Sequence, residues 1–579
     1  MNTDLASGGR VDRGRPATAT IVWQQLRHAN RGFWRSPIAA FFTLVFPLLF
    51  LVLLGTLVGN QVVRGDVRVA QFLTPAIIAF AATTASFTSL AIGVVVEREA
   101  GILKRVRGTP LPPALFMVAR IGSAVWIALL SVLLMLVVGV ALFGVQLIAR
   151  TAPAALLTLA VGIGAFAALG LALVALTPSQ SATQAIANAV IIPLAFISGI
   201  FTQGDALPRW LEVVAAIFPL KHFADALVAT FNPFNSGAQF GWDHLAVLTA
   251  WGAAGAVVAL RFFRWEPHPS GRARSGTDDD EAPPQRRRPV LRPVERQQRP
   301  GIPALISAQT WYAVRAFWRS TAGAFFVVLF PVILLLLVPV VFGDTTMDGR
   351  GGIRLTQFLT PVLAVYGAAT AAYADFSQRV AFARDQGVLK RIHGTPLPVW
   401  AYVGGRVATA IAVALASLVV TVAVGMILYG VDLVPRALPG LLLSVVLGIA
   451  CFTALGLAVA AVAPDAEAVP MIANATLLPL AFFSDIFLIG DLPRWMGVLG
   501  SIFPLKHFAN AVADGFNPTV PGMGLFADHL AVMALWTLVG LVLALRFWTW
   551  QPRERGGRRA QRAAHGRGAR AQRVHPSTR

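Results

Sequence analysis

The sequence is poor in charge and has almost no cysteine. Charged residues make up 13% of its 579 residues, against about 25% in soluble proteins, while 56% are hydrophobic and the mean hydropathy is +0.68. One cysteine, Cys451, excludes an internal disulfide and a cysteine-based metal site. No Gly-x-x-x-x-Gly-Lys-Ser/Thr phosphate loop and no cleavable signal pattern occur, so we expect an uncleaved polytopic membrane protein that hydrolyses no nucleotide by the usual route.

The net charge is +21, from 48 basic and 27 acidic residues. A nucleic-acid partner is one interpretation, but the basic residues cluster in loops and tails beside apolar runs. The positive-inside rule and anionic lipid account for that placement, so we expect lipid partners and no nucleic acid. The spans are almost free of charge except at Asp375 and Arg379. A local ion pair or snorkelling is one account of these two residues, and a substrate or proton role is the other.

The second half of the chain repeats the first. The sequence EREAGILKRVRGTPLP at 97–112 returns as ARDQGVLKRIHGTPLP at 383–398, and we call these the first and second islands. The offset is nearly constant: Gly101 and Gly387 are 286 residues apart, and Pro219 and Pro504 are 285 apart. Each island has the same order of residues: acids, glycine, a Lys-Arg pair and Thr-Pro. This order predicts a short helix that ends at Thr-Pro. Such a helix suits docking by another protein, and a plain positive-inside loop is the alternative.

The apolar runs predict an all-α fold of about twelve spans, six in each half. In the first half we expect spans at 37–59, 71–96, 114–145, 152–176, 184–201 (broken by Pro193) and 243–263, with one or two short helices in 204–232. The domains expected are a tail with an interfacial helix (1–36), a first unit (37–263), a basic flexible linker (264–302), a second unit with its interfacial helix (303–549) and a basic tail (550–579). The positive-inside rule favours a cytoplasmic location for both termini, the linker and the islands, which requires an even number of spans in each half. The halves then have the same orientation and are related by a parallel pseudo-two-fold axis.

Two motifs resemble those of type 2 ABC exporter permeases. The islands resemble the loop after the second span of that family. The other motif is IPLAFISGIF at 192–201, followed by Leu-Pro and Phe-Pro-Leu, and it returns as LPLAFFSDIF at 478–487. The resemblance covers both halves and is nearest to the drug and antibiotic exporter branch, with two permease units fused in tandem.

The resemblance implies the membrane subunit of an ATP-driven exporter, with no enzyme activity of its own. It would move a hydrophobic or amphiphilic drug, antibiotic or natural product across the cell membrane of a bacterium. No cofactor is expected in this chain, because ATP and Mg²⁺ would be held by a separate ABC ATPase, two copies of which would dock on one chain. Export of a cell-envelope lipid or glycan, an ATP-independent secondary carrier and a non-transporting scaffold remain alternatives.

The resemblance also nominates residues. ATPase coupling would involve Glu97, Glu99, Gly101, Lys104, Arg105, Thr109 and Pro110, and Asp385, Gly387, Lys390, Arg391, Thr395 and Pro396. A substrate path along the second and fifth spans would involve Thr83, Thr84, Ser86, Phe196 and Phe201, and Tyr366, Thr370, Tyr373, Phe482 and Phe483. Packing within the spans is the other account of each aromatic. Ala383 stands opposite Glu97, so the second island lacks one acid and we expect unequal ATPase contacts.

Overall fold

The computed structural model describes residues 18–34, 40–108, 113–200, 207–264, 301–347, 351–393, 399–466, 468–487 and 493–549. Helices of the first half are α1 Thr18–Trp34, α2 Thr43–Leu57, α3 Ala70–Glu99, α4 Ile102–Arg107, α5 Pro113–Phe143, α6 Ala152–Leu176, α7 Gln180–Ile197, α8 Arg209–Ile217, α9 Pro219–Phe231 and α10 Trp242–Phe262. Those of the second half are α11 Ile302–Trp318, α12 Phe325–Phe342, α13 Leu355–Asp385, α14 Val388–His393, α15 Val399–Tyr429, α16 Leu438–Val462, α17 Ala468–Phe483, α18 Arg494–Ile502, α19 Pro504–Asp514 and α20 Ala527–Phe547. Strands β1 Val62–Arg64 and β2 Val67–Arg68 form one antiparallel hairpin, and β3 Thr346–Met347 and β4 Ile353–Arg354 form another.

The predicted all-α polytopic fold is confirmed. Within the described ranges, ten helices are long and apolar enough to cross a membrane. The shorter apolar helices α2 and α17 stand where the first span of the first half and the fifth span of the second half are expected. Counted with the ten, they make six apolar helices in the described part of each half, at the positions expected for spans.

The fifth span of the first half is one continuous helix, whereas the segment after it is sharply bent. The prediction that Pro193 breaks the fifth span is wrong, because α7 continues through Pro193 to Ile197. Proline removes one helical hydrogen bond, but the ladder resumes beyond it, where the Ser198 N–H donates to the Leu194 carbonyl over 2.9 Å. The bend comes later, where α8 and α9 meet at 97° around Phe218, so this segment is two short helices and not a straight span.

The second span lies at the centre of each half. In α13 the most apolar stretch of 18 residues is entirely buried within the protein, and 83% of the corresponding stretch of α3 is buried. The fourth span approaches it closely at a glycine in each half. A Cβ on Gly170 would lie 2.8 Å from the Phe87 carbonyl oxygen, and one on Gly456 would lie 2.7 Å from that of Ala372. No side chain fits at such a distance, so these glycines permit backbone contact between the spans.

The first two spans of each half contain a π-helical segment. These segments are Phe41–Val45, Thr84–Ser89, Phe325–Leu329 and Thr370–Asp375. A π-helical segment adds a residue to a turn and shifts the side chains after it, and such segments are frequent at functional sites. Their positions match between the halves, so this departure from α-helix belongs to the repeated unit.

The halves meet through their first and fifth spans. Phe50 of α2 packs edge-on against Phe482 of α17, with ring centres 4.9 Å apart, and Leu53 joins the same cluster. In the opposite sense, Phe196 of α7 packs against the core of the second half, and Val341 of α12 lies in the core of the first. The same two spans are exchanged in both directions, which is the pattern of a contact about a two-fold axis.

Each half also holds a lysine near the start of the short helix before its sixth span, α9 or α19, with a different counter-ion. Lys221 Nζ is 3.1 Å from Asp225 Oδ2, one turn along the same helix. Lys506 Nζ is 3.8 Å from Oδ2 of Asp485, at the turn after the fifth span. The first half has Gly199 at that turn, and both residues have a positive φ (73° and 61°). The lysine therefore ties two elements together only in the second half.

Candidate functional site

The first island begins with a tight turn that glycine makes possible. Gly101 has φ +69°, a left-handed conformation that glycine adopts without strain, and it lets the chain turn from α3 into α4. On α4, Leu103 is fully buried, whereas Lys104 and Arg105 are exposed. The short helix is thus held by its leucine and presents its cations outward.

The second island has the same geometry. Gly387 has φ +70°, Leu389 is buried, and Lys390 and Arg391 are exposed. Both halves therefore present a Lys-Arg pair from an anchored helix. The remaining nominated residues of the islands, Thr109, Pro110, Thr395 and Pro396, lie outside the described residues.

A buried arginine joins the end of the second span to the end of the fourth. The Arg98 side chain is fully buried and donates 2.7 Å hydrogen bonds to the carbonyls of Val174 and Thr177. These carbonyls lie at the C-terminal end of α6, one in its last turn and one just after it, where helical partners run out and the helix dipole favours a cation. Sequence reasoning missed this arginine, although its recurrence as the middle residue of ERE and ARD was the available signal.

The second half repeats this link. Arg384 is buried and donates to the carbonyls of Ala460 and Ala463, over 2.8 and 3.3 Å. Its Nε also bonds Asp385 Oδ1 over 2.9 Å. Within the described residues, Arg98 Nε has no such partner. The arginine is therefore bound more completely in the second half.

The nominated acids Glu99 and Asp385 face the fifth span. Glu99 Oε1 accepts a 2.7 Å hydrogen bond from the backbone N–H of Gln180, the first residue of α7. Asp385 Oδ2 accepts one of 2.6 Å from Ala466, just before α17. A carboxylate at a helix N-terminus is favoured by the dipole and by the free N–H groups. Each acid therefore connects its island to the helix that follows the fourth span.

The remaining acid of the islands is present in one half only. Glu97 forms an ion pair with Arg120 of the third span. In the second half Ala383 replaces the acid, and Arg406, which matches Arg120, donates from Nε to the Tyr402 hydroxyl over 3.1 Å. A carboxylate has thus been exchanged for a neutral phenol as the acceptor of the arginine.

In the first half, the described path residues of the second span are buried, and Phe196 of the fifth span contacts the second half. Thr83, Thr84 and Ser86 are buried, and the last two fall on the π-helical segment. Their hydroxyls donate back to the helix, Thr84 to the Phe80 carbonyl and Ser86 to the Ala82 carbonyl. Phe196 is half-buried against the second half. Phe201 lies outside the described residues.

In the second half the nominated residues lie closer together. The Tyr373 hydroxyl is 2.7 Å from the Thr476 hydroxyl, so it joins the second span to the fifth. Tyr366 and Phe482 both pack on Phe487, with ring centres 4.9 and 5.2 Å apart. Phe483 packs on Trp495, and Thr370 bonds to the Tyr366 carbonyl.

Tyr366 and Phe482 belong to an aromatic group whose other members, Phe487 and Phe50, were not nominated from the sequence. Phe487 matches Phe201 in the repeat, so the repeat itself could have identified it. Phe50 belongs to the first span of the other half, and no local pattern in the sequence indicates that contact.

The charged pair of the second half lies within the second span. Arg379 Nε is 2.7 Å from Asp375 Oδ2, and the guanidinium lies 5.2 Å from the centre of the Phe317 ring. Both side chains are mostly buried, with 23% and 17% exposed. Ser89 and Gly93 hold the matching positions in the first half.

Comparison with known proteins gives the family. The sequence pattern of the ABC-2 type transporter family matches residues 18–232 and, a second time, residues 304–517. A daunorubicin resistance ABC transporter permease, DrrB1 of Streptomyces coeruleorubidus, is 28% identical over 274 residues, 46% of this chain and 92% of the relative.

Two further relatives are named as transport permeases. One from Cyanophora paradoxa, ycf38, is 28% identical over 240 residues, 40% of this chain and 75% of the relative. The inner membrane transport permease YhhJ of Escherichia coli K12 is 26% identical over 174 residues, 29% and 45% of the two chains. The DrrB1 match shows that less than half of this chain corresponds to nearly a whole relative.

Proposed function

Because the chain belongs to the ABC-2 type transporter family, with the family unit present twice, we propose that it is the membrane subunit of an ATP-driven exporter. The permeases of this family contain no nucleotide-binding domain. We infer that a separate ABC ATPase supplies the energy and holds ATP and Mg²⁺, and that two ATPase copies dock on one chain.

The observation that supports this proposal most strongly is the pair of anchored basic helices. In α4 and α14 a buried leucine fixes the helix while the Lys-Arg pair is exposed, so each helix has a docking face. An ordinary positive-inside loop requires basic residues but no such anchoring.

The islands also have a route by which force would reach the membrane. Arg98 bonds to the end of the fourth span and Glu99 to the start of the fifth. Arg384 and Asp385 do the same in the second half. A displacement of either docking helix would therefore act on the end of the second span, to which it is joined, and on the fourth and fifth spans through charge-assisted hydrogen bonds, which are among the stronger ones in proteins.

We propose that the substrate is a hydrophobic or amphiphilic compound. The nominated path residues are aromatic or carry single hydroxyl groups, and the aromatic group of Phe50, Tyr366, Phe482 and Phe487 lies where the halves meet. Such a lining suits an apolar molecule better than a sugar polymer. We propose that the termini and islands lie in the cytoplasm, as the positive-inside rule favours, and that the cell is bacterial.

The test is a vanadate-sensitive ATPase assay on the chain reconstituted with its ATPase in lipid vesicles. A panel of lipophilic antibiotics and envelope lipids is added, and uptake into inside-out vesicles is measured in parallel. We expect hydrolysis to be stimulated by the transported compound. Transport by the purified chain without an ATPase would instead identify a secondary carrier and refute the proposal, and stimulation by envelope lipids alone would refute the substrate class.

A further inference from the structure

The two halves differ in charge beside the start of the third span. In the first half, Arg120 is neutralised by Glu97. In the second half, Arg406 has the neutral Tyr402 hydroxyl as its acceptor, and its guanidinium also lies 5.1 Å from the centre of the Tyr402 ring. Ala383, at the position of Glu97, packs in the same cluster as Tyr402. Among the described residues, no carboxylate therefore forms an ion pair with Arg406.

A second arginine lies beside it. Arg379 and Arg406 line one small pocket together with Asp375, Thr409 and four apolar neighbours. Asp375 neutralises only one of the two arginines, because its carboxylate bonds to Arg379. The pocket therefore has a net charge of +1 and, in Thr409, a hydroxyl. The first half has no second arginine there, because Gly93 matches Arg379.

The pocket lies near one end of the third span of the second half. Arg406 is seven residues from the start of α15, about 10 Å along the helix, at the end of the span next to the second island. The amphipathic helix α11 crosses α15 there, with the Thr310 hydroxyl 3.4 Å from the Gly405 carbonyl. The pocket volume, about 10 Å³, is at the lower limit for a single water-sized atom and excludes a whole small molecule. It thus fits an oxygen of a group whose remainder stays outside.

We propose that the second half binds an anionic phospholipid at this place, with a phosphate oxygen between Arg379 and Arg406 and the acyl chains along α15. Arginine binds phosphate with directed, charge-assisted hydrogen bonds, and basic pockets between spans are typical sites for anionic headgroups. The first half has no equivalent site, because Glu97 occupies the acceptor position. The inference does not depend on the proposed transport activity.

The test uses the purified full-length chain and native mass spectrometry to count retained lipids. Phosphatidylglycerol, phosphatidylcholine and inorganic phosphate are the three probes. The decisive variant is Ala383→Glu, which gives the second half the acid of the first, and Ala383→Gln is its control of equal size. We expect the glutamate variant to bind phosphatidylglycerol about tenfold more weakly and the glutamine variant to retain it.

A second pair of variants controls for total charge. Arg406→Gln should lose the same lipid, whereas Arg105→Gln, which removes one exposed island charge, should not. Equal retention by the glutamate and glutamine variants, or equal loss from the two arginine variants, would overturn the proposal. Equal binding of phosphatidylcholine, or displacement of phosphatidylglycerol by inorganic phosphate, would overturn the assignment to an anionic lipid.

Discussion

Glu99 accepts its 2.7 Å hydrogen bond from the first backbone N–H of α7, at Gln180, 81 residues further along the chain. The acid nominated for contact with an ATPase is therefore already engaged inside the permease. This does not exclude docking, since the carboxylate has a second oxygen and the side chain is exposed. It means that replacing the acid changes the connection between the second and fifth spans as well as the docking face.

The two island acids should not be equivalent. Asp385→Ala removes the acceptor of both Ala466 and Arg384 Nε, whereas Glu99→Ala removes one hydrogen bond and leaves Glu97 in the first island. We expect the aspartate variant to lose more transport at matched expression and to melt at a lower temperature. The measurements are vesicle uptake and a thermal unfolding curve for each variant. Equal losses of transport would contradict unequal coupling.

Removing the buried arginine should destabilise the first half. Arg98→Gln loses two hydrogen bonds from a charged donor to buried carbonyls, each worth about 1.5–3 kcal/mol. We expect a clear fall in the melting temperature and only partial recovery with Arg98→Lys, because an ammonium group lacks the fork that bonds two carbonyls at once.

The matched control is Lys104→Gln on the exposed face of α4. It should leave the melting temperature unchanged, because an exposed charge contributes little to stability. Under the proposed function it should weaken co-purification of the ATPase. A melting temperature that falls equally in Arg98→Gln and Lys104→Gln would show that the arginine has no special structural role.

The Tyr373–Thr476 bond can be measured with a double-mutant cycle. The matching residues of the first half are Phe87 and Val190. The double variant Tyr373→Phe with Thr476→Val therefore gives the second half the residues that the first half has at these positions. Either single variant leaves one hydroxyl without its partner across the spans and should cost about 1 kcal/mol. The double variant should cost less than the sum of the two. Additive free energies of unfolding would show that the hydroxyls are not coupled.

The contact between the halves can be tested by cross-linking. In a chain whose Cys451 is replaced by alanine, Phe50→Cys with Phe482→Cys places one thiol on each side of the contact that the two rings now fill. A direct disulfide requires closely spaced Cβ atoms, so the reagent is a reducible bifunctional thiol cross-linker that spans the space of the two rings. We expect it to link the two cysteines, and transport to stop until the link is reduced, if the path opens between α2 and α17. The control is Phe50→Cys alone, which should remain active after the same treatment. Full transport by the cross-linked protein would place the opening elsewhere.

Much of the fold could be predicted because the information is local and repeated. The hydrophobic runs mark the spans, and the duplicated islands mark the amphipathic helices. The prediction failed at Pro193, because proline restricts its own turn but the rest of the helix is held by its neighbours. The π-helical segments were not predicted, because no residue pattern marks them; one of them contains the Phe87 carbonyl that Gly170 of the fourth span approaches.

In the candidate site, too, residues within a repeated motif were predicted and residues with distant partners were not. Residues with a motif around them, such as Lys104 and Lys390, were found from their pattern. Arg98 was passed over as the middle residue of an acidic motif, because its partners are backbone carbonyls that any sequence supplies. Phe50 was missed because its partner Phe482 belongs to the other half.

The lysine pairs at α9 and α19 show that the local charges of the two halves are no longer interchangeable. Lys221 has its counter-ion at Asp225, and Lys506 has its own at Asp485. Recombination between the duplicated segments, at a point after Gly199 or Asp485 and before the lysine, would join Gly199 to Lys506 and Asn510, or Asp485 to Lys221 and Asp225. One product has neither acid near its lysine, and the other has both. Exchange between the duplicates would therefore change the local charge balance as well as the number of units in the chain.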